Sequence, residues 1–127
     1  MEIKKKLTAV VADDFQTMLS LLRQTLTILD CEVLAVADNG IVALEKIDLL
    51  KPDLVFLDIE MPGMTGLQVL DSLQSKGIDV FKVIVSSHTS VDNVKLALAR
   101  GADGFVVKPY STSKIKQVID KYYAGLE

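Results

Sequence analysis

Acidic, basic and hydroxyl side chains follow short apolar runs at several points in the sequence, each where a buried strand would end. Asp13 and Asp14 follow the first such run, Asp58 follows the third, Ser86 the fourth and Lys108 the fifth. The carboxyl ends of parallel strands lie along one edge of a sheet, and ligands bind at that edge in open α/β sheets. We therefore expect these five side chains to converge in the folded chain.

The three aspartates predict a cation site. Two carboxylates about 4 Å apart repel by on the order of 1 kcal/mol in water and about 4 kcal/mol at an intermediate effective dielectric. A cation would balance that charge, and carboxylate oxygens without cysteine or histidine beside them favour Mg²⁺ or Mn²⁺ over zinc. Because Mg²⁺ leaves coordination positions for phosphate oxygens, Asp58 is the candidate phosphoryl acceptor. Lys108 and the Ser86 hydroxyl are candidates to hold the phosphate.

Each of these residues taken alone has an ordinary structural explanation. Asp13 and Asp14 stand where a helix begins and are typical of helix caps, and Asp58 is typical of a turn after a strand. Ser86 would equally cap the next helix, and Lys108 would equally be a surface lysine. The chemical interpretation is favoured because all four ordinary explanations would have to hold together along one sheet edge.

The elements that must position these groups alternate along the chain. Apolar, β-branched runs predict strands, and apolar residues at helical spacing predict helices between them. The predicted strands are Leu7–Ala12, Glu32–Val36, 53–57, Val80–Val85 and Asp103–Val107. The first predicted helix spans residues 15–29, and the second begins at Asp38–Gly40 and is stopped by Pro52. The third runs from Leu67 to a cap at Gly77, and the fourth from about Val91 to Arg100. The fifth is capped by Ser111 or Thr112.

This alternation predicts an α/β fold, a doubly wound (βα)5 unit with a parallel five-stranded sheet and helices on both faces, in three layers. The length of 127 residues predicts a single domain, residues 1–127. Apolar runs fall short of the roughly 18–20 residues needed to cross a bilayer, and no signal peptide follows the charged N-terminus. A net charge of −3 and one cysteine, Cys31, predict a cytoplasmic protein with no direct binding to nucleic acid or membrane.

The ordered motifs resemble the receiver domain of bacterial two-component response regulators over about residues 7–124. The segments that carry this resemblance are Val11–Asp14, Leu57–Gly66, Val85–Ser87 and Gly101–Pro109. Each motif alone is weak, whereas the set, in this order and spacing, is highly specific. The resemblance implies a flavodoxin-like sheet with strand order 2-1-3-4-5.

The resemblance also implies roles for individual residues. Asp58 would be the phosphoacceptor, and Mg²⁺ would be bound by Asp14, Asp58 and the backbone carbonyl of Glu60. Asp13 would act on the metal mainly through water, and Lys108 would pair with the phosphoryl oxygens. The peptide bond between Lys108 and Pro109 is typically cis in the family. Ser86 rather than Ser87 would be the switch hydroxyl.

Phe105 departs from the commonest family pattern, in which tyrosine is frequent at the aromatic switch position. Phenylalanine can still rotate between buried and exposed positions, but it has no hydroxyl to bond on either side. Glu60 and His88 border the place where a hydrolytic water would enter, and in the family such positions adjust the lifetime of the phosphoryl group. His88 would equally be an exposed loop histidine.

The implied function is signal transduction by phosphorylation. Asp58 would receive a phosphoryl group from a sensor histidine kinase, a histidine phosphotransfer protein or a small phosphodonor, and the domain would catalyse this transfer and the later hydrolysis. The fourth helix, fifth strand and fifth helix would then form the switched face, directed at a downstream effector, an output domain or a second copy of the chain.

Two alternatives from other classes stay open at this point. One is a receiver-like interaction scaffold that takes no phosphate. The other is a phosphatase of the haloacid dehalogenase kind, which also uses an aspartate nucleophile, Mg²⁺, a hydroxyl residue and a lysine. Chain order argues against the phosphatase, since there the nucleophile follows the first strand and the acidic pair comes late.

Overall fold

Five strands alternate with five helices in the computed structural model, which describes residues 6–87 and 91–126. The elements are β1 Leu7–Ala12, α1 Gln16–Ile28, β2 Cys31–Ala37, α2 Gly40–Leu50, β3 Leu54–Leu57, α3 Gly66–Lys76, β4 Phe81–Ser86, α4 Val91–Ala99, β5 Gly104–Val107 and α5 Thr112–Ala124. The predicted alternation is confirmed.

The five strands form one parallel sheet in the order β2-β1-β3-β4-β5. This order and the α/β fold class agree with the expectation. β1 and β3 are neighbours at the centre of the sheet, with Ala12 opposite Leu57 in the register. The residues that follow these two strands, Asp13 and Asp58, therefore leave the sheet side by side.

Helices cover both faces of the sheet, so the predicted three layers are present. α1 and α5 pack on one face through an apolar cluster that includes Leu22, Leu26 and Ile115. α2, α3 and α4 pack on the other through a second cluster that includes Ile47 and Leu70. The four residues of β3 are fully buried, because the central strand is covered on both sides.

Element boundaries differ from the prediction by about one residue. β3 begins at Leu54 rather than at residue 53, where the Asp53 carboxylate accepts hydrogen bonds from the Thr8 amide and hydroxyl, both at 3.0 Å. Of the two candidate caps for α5, the structure selects Ser111, whose hydroxyl oxygen accepts from the Lys114 amide at 3.3 Å. Gly77 ends α3 with φ of 66°, the predicted left-handed cap.

Cys31 is buried at the start of β2, and burial raises the pKa of its thiol to about 11. It is therefore a core residue without thiolate chemistry at neutral pH. Across residues 6–87 and 91–126, the helices are too short or too polar to span a bilayer.

Candidate functional site

Three carboxylates converge at the carboxyl edge of the sheet. One oxygen each from Asp13, Asp14 and Asp58 lies within 4.8 Å of the other two. Asp13 and Asp58 are buried, with exposed fractions of 5% and 8%, whereas Asp14 is exposed. The cluster therefore has a protein-covered side and a side open to solvent.

Backbone hydrogen bonds place the two buried acids. The Asp58 amide donates to the Ala12 carbonyl at 3.0 Å, and the Asp13 amide donates to the Ala37 carbonyl at 3.0 Å. Each aspartate thus continues the ladder by one residue before the chain turns away. Since the ladder fixes the backbone, the two side chains leave from the rigid end of the sheet.

Lys108 closes the cluster from the end of β5. Its Nζ lies 2.5 Å from Oδ2 of Asp13 and 3.6 Å from Oδ2 of Asp58. Its backbone amide donates to the Ser86 carbonyl at 2.9 Å, and the Lys108–Pro109 peptide bond is cis. The ammonium group therefore stands between the two buried acids, held by a backbone contact to the end of β4.

Asp13 has both carboxylate oxygens engaged by the protein. Oδ2 accepts from Lys108, and Oδ1 accepts from the Phe15 amide at 2.9 Å, just ahead of α1. Asp13 does not cap α1, because the N-cap of that helix is Phe15 and no side chain accepts from its first turn. Its bond to the Phe15 amide instead holds the chain just before the helix, while its other oxygen belongs to the acidic cluster. Because its oxygens already have partners, it is suited to contact an ion through water.

The environment of Asp58 disfavours its charged form. The pKa of this carboxyl is raised to about 6, chiefly by burial and also by the nearby charges of Asp13 and Asp14, although Lys108 and the Ile59 amide act in the opposite direction. A cation among the three acids would relieve this repulsion. The donor set of carboxylate oxygens fits Mg²⁺ or Mn²⁺.

The other residues that the sequence singled out are described by the elements that carry them. Ser86 ends β4 and is fully buried, whereas Ser87 is exposed. Phe105 lies half-buried in β5 and packs against the cluster under α2, α3 and α4. Glu60 is exposed between β3 and α3, and His88 lies outside the described residues.

Two glycines that the sequence indicated merely as turn or loop residues lie against this part of the structure. The Gly66 amide donates to the Ile59 carbonyl at 2.8 Å, and the Gly40 amide lies 3.4 Å from the Pro62 carbonyl that accepts its hydrogen bond. A Cβ atom on Gly66 would lie 2.2 Å from the Asp58 carbonyl oxygen. The Asp38-Asn39-Gly40 signal located a helix start, but the contact with residue 62 became visible only in the folded chain.

Comparison with known proteins places this geometry in a family. Residues 9–120 match the family model described as the response regulator receiver domain. The chain is 33% identical over 115 residues to the chemotaxis protein CheY of Listeria monocytogenes. The matched region covers 91% of this chain and 97% of that protein.

Solved structures agree with the sequence comparison. The signal receiver domain of the putative response regulator NarL from Mycobacterium tuberculosis has a TM-score of 0.90 at 33% identity, over 94% of this chain and 98% of that one. A CheX–CheY–BeF3–Mg²⁺ complex from Borrelia burgdorferi matches with a TM-score of 0.87 at 26% identity, over 92% of this chain and 89% of that one.

Proposed function

The chain belongs to the response regulator receiver domain family, and from that premise we propose that it accepts a phosphoryl group on Asp58 and relays a signal. The observation that carries the proposal is the convergence of Asp13, Asp14 and Asp58 beside the Lys108 ammonium. The phosphatase alternative is left without support, because the family match is to receivers.

Asp58 is the nucleophile in this proposal. A carboxylate oxygen forms a bond to phosphorus in line with the leaving group, while the phosphorus–nitrogen bond of a donor phosphohistidine breaks and the freed imidazole takes up a proton. The donor is a sensor histidine kinase or a histidine phosphotransfer protein, and acetyl phosphate can replace it. Because Asp58 is tied to the ladder, its carboxylate is positioned before the donor arrives.

The metal ligands are Asp14, Asp58 and the backbone carbonyl of Glu60, with Asp13 acting mainly through water. When bound there, Mg²⁺, or Mn²⁺ in its place, neutralises charge on the transferring group. The CheX–CheY complex of Borrelia burgdorferi supports this choice, since it contains Mg²⁺ together with a beryllofluoride.

Lys108 and Ser86 respond to the new charge. A phosphoryl group adds about −1.5 to −2 charges at neutral pH. It competes with Asp13 for the Lys108 ammonium, which already lies 3.6 Å from Asp58. The Ser86 hydroxyl, at the end of the neighbouring β4, then bonds a phosphoryl oxygen.

Phe105 connects the site to the surface. It lies half-buried in β5, the strand that ends at Lys108, so a shift of β4 and β5 toward the phosphoryl group changes its packing. The face formed by α4, β5 and α5 is the surface that changes. Its partner is a downstream effector, an output domain or a second copy of the chain, in the cytoplasm and without direct contact to nucleic acid or membrane.

The proposal is tested by intact-mass measurement after incubation with acetyl phosphate and Mg²⁺. We expect the wild-type chain to gain one phosphoryl group and Asp58→Ala to gain none, because the nucleophile is gone. Asp120→Asn is the matched control, since Asp120 is exposed on α5, where it pairs with Lys116 at 3.0 Å, and it should label like the wild type.

Two outcomes would contradict the proposal. Labelling of Asp58→Ala at the wild-type rate would remove Asp58 as the acceptor. A wild-type chain that stays unmodified, with the donor and metal shown to be active on another receiver, would favour the interaction scaffold instead.

A further inference from the structure

The segment that carries Glu60, residues 59–65 and here named the site loop, is anchored at its end by Gly66. The Gly66 amide donates to the Ile59 carbonyl at 2.8 Å, and the missing side chain lets Gly66 lie against the Asp58 carbonyl. This contact joins the first residue of the site loop, Ile59, to the residue that directly follows the loop.

A second anchor comes from α2, which is distant in sequence. The Gly40 amide bonds the Pro62 carbonyl, and a Cβ atom on Gly40 would lie 2.1 Å from the Met64 carbonyl oxygen and 2.6 Å from Met64 Cβ. The φ angle of Gly40 lies outside the left-handed region, so its backbone conformation is open to other residues. Glycine is required there by space alone, because the site loop fills the volume that a side chain would take.

α2 has its own means of folding and docking without this contact. The Asn39 side chain caps it by accepting from the Val42 amide at 2.9 Å, and Ala43 and Ile47 are fully buried against the sheet. The approach of Gly40 to the site loop therefore adds little that the helix needs, whereas the loop gains a fixed position for Pro62 and Met64.

Ile41 extends the same contact on the surface. Its Cδ1 lies 3.0 Å from the point where a Cβ on Gly63 would stand, and Gly63 has φ of 78°. The Ile41 side chain is 48% exposed, so it contributes to the loop more than to the core.

We infer that Gly40 is a positioning residue for the metal site, because the start of α2 holds the site loop and so sets the place of the Glu60 carbonyl. The inference rests on the proposed function in taking that carbonyl as a metal ligand. Groups that orient metal ligands commonly change metal affinity by about 10- to 100-fold when they are altered.

The test is Gly40→Ala, measured for Mg²⁺ affinity by calorimetry and for hydrogen exchange of the Gly66 amide. We expect the dissociation constant for Mg²⁺ to rise by about tenfold or more. The Gly66 amide should exchange faster, while amides of the central strand, such as Val55, keep the wild-type rate. Labelling by acetyl phosphate should recover at saturating Mg²⁺, which a generally damaged fold would not allow.

The matched control is Gly125→Ala after the end of α5, where φ is −69° and the nearest atom to a new Cβ is 3.4 Å away. It should leave both measurements unchanged. If Gly40→Ala does not fold, Ile41→Ala replaces it, since truncating a half-exposed side chain spares the core. Ile41→Ala should then raise the dissociation constant for Mg²⁺ and speed exchange of the Gly66 amide, each by less than Gly40→Ala would.

A Mg²⁺ affinity and a Gly66 exchange rate that stay at wild-type values in a folded variant would overturn the inference. A wild-type chain that binds no Mg²⁺ would instead contradict the proposed function. The exchange measurement would still decide whether Gly40 holds the site loop.

Discussion

At the scale of a single residue, Asp58, the proposed phosphoryl acceptor, lies in an environment that disfavours its negative charge. It is buried beside two other acids, and the Lys108 ammonium only partly offsets that repulsion, since the pKa of the carboxyl is still raised to about 6. A buried polar group that is costly in the resting protein is typical of a site that gains from binding an ion. The residue should therefore stabilise the fold less than a neutral side chain of the same shape.

We predict that Asp58→Asn stabilises the metal-free protein at neutral pH. A folded-state pKa of about 6, above the ordinary 3.8, means that the carboxyl contributes stability below about pH 4 and that this contribution is lost as the pH rises through 6. The gain for Asp58→Asn should reach at most about 3 kcal/mol above pH 7, since one pKa unit corresponds to about 1.4 kcal/mol.

Urea denaturation with a chelator, from pH 4 to pH 8, measures this difference. Asp120 is exposed, so the control variant Asp120→Asn should show no gain in stability that grows between pH 4 and pH 6. A variant at Asp58 that is no more stable than the wild type at pH 8 would show that Lys108 already neutralises the site.

At the scale of elements, the start of α3 matters because the site loop ends there. The Thr65 hydroxyl oxygen accepts from the Gln68 amide at 3.2 Å, and the Gln68 side-chain oxygen accepts from the Thr65 amide at 2.9 Å. This reciprocal cap satisfies two amides at the N-terminus of α3. It fixes where the helix begins and thus how long the site loop is.

Thr65→Ala should destabilise the protein by about 1 kcal/mol, because the Gln68 amide loses its acceptor. Thermal and chemical denaturation measure the change. Ser75 lies on the exposed side of the same helix and has no capping role. Ser75→Ala should therefore change stability far less. Equal effects of the two substitutions would mean that the cap adds nothing beyond helix propensity.

At the scale of the whole molecule, the site joins strands that are far apart in the sequence. The acids follow β1 and β3, the hydroxyl ends β4 and the lysine follows β5. An ion at this site would bind the folded chain, in which the acids converge. It would not bind the unfolded chain, in which the acids are far apart. Metal binding and global stability are therefore linked.

We predict that Mg²⁺ raises the midpoint of thermal unfolding, by an amount that corresponds to about 2.7 kcal/mol at 100 times its dissociation constant. Asp14→Asn should weaken this response, because it removes the exposed carboxylate of the cluster. Potassium chloride at matched ionic strength separates binding from charge screening. A wild-type midpoint that moves equally with both salts would argue against a specific ion site.

Local patterns in the sequence were enough to predict the alternating strands and helices and the convergence of the acids, whereas the strand order was implied by the resemblance to receivers. Apolar periodicity predicted each strand and helix to within about a residue, because burial of one face or both faces of an element is recorded in neighbouring residues. The convergence of Asp13 with Asp58 followed from a rule of parallel sheets and needed no coordinates. The roles of Ser86, Phe105 and the Glu60 carbonyl stay predictions, since the geometry places these residues without testing what they do.

Contacts between distant segments could be decided only by the tertiary structure. The sequence assigned Lys108 to the phosphoryl group, but in the folded chain its ammonium lies closest to Asp13. Likewise, Asn39-Gly40 indicated a helix start, while the need for glycine comes from the Met64 carbonyl, which packs where a side chain would be. Periodicity reports which side of an element is buried, whereas the partner that covers it depends on how whole elements pack.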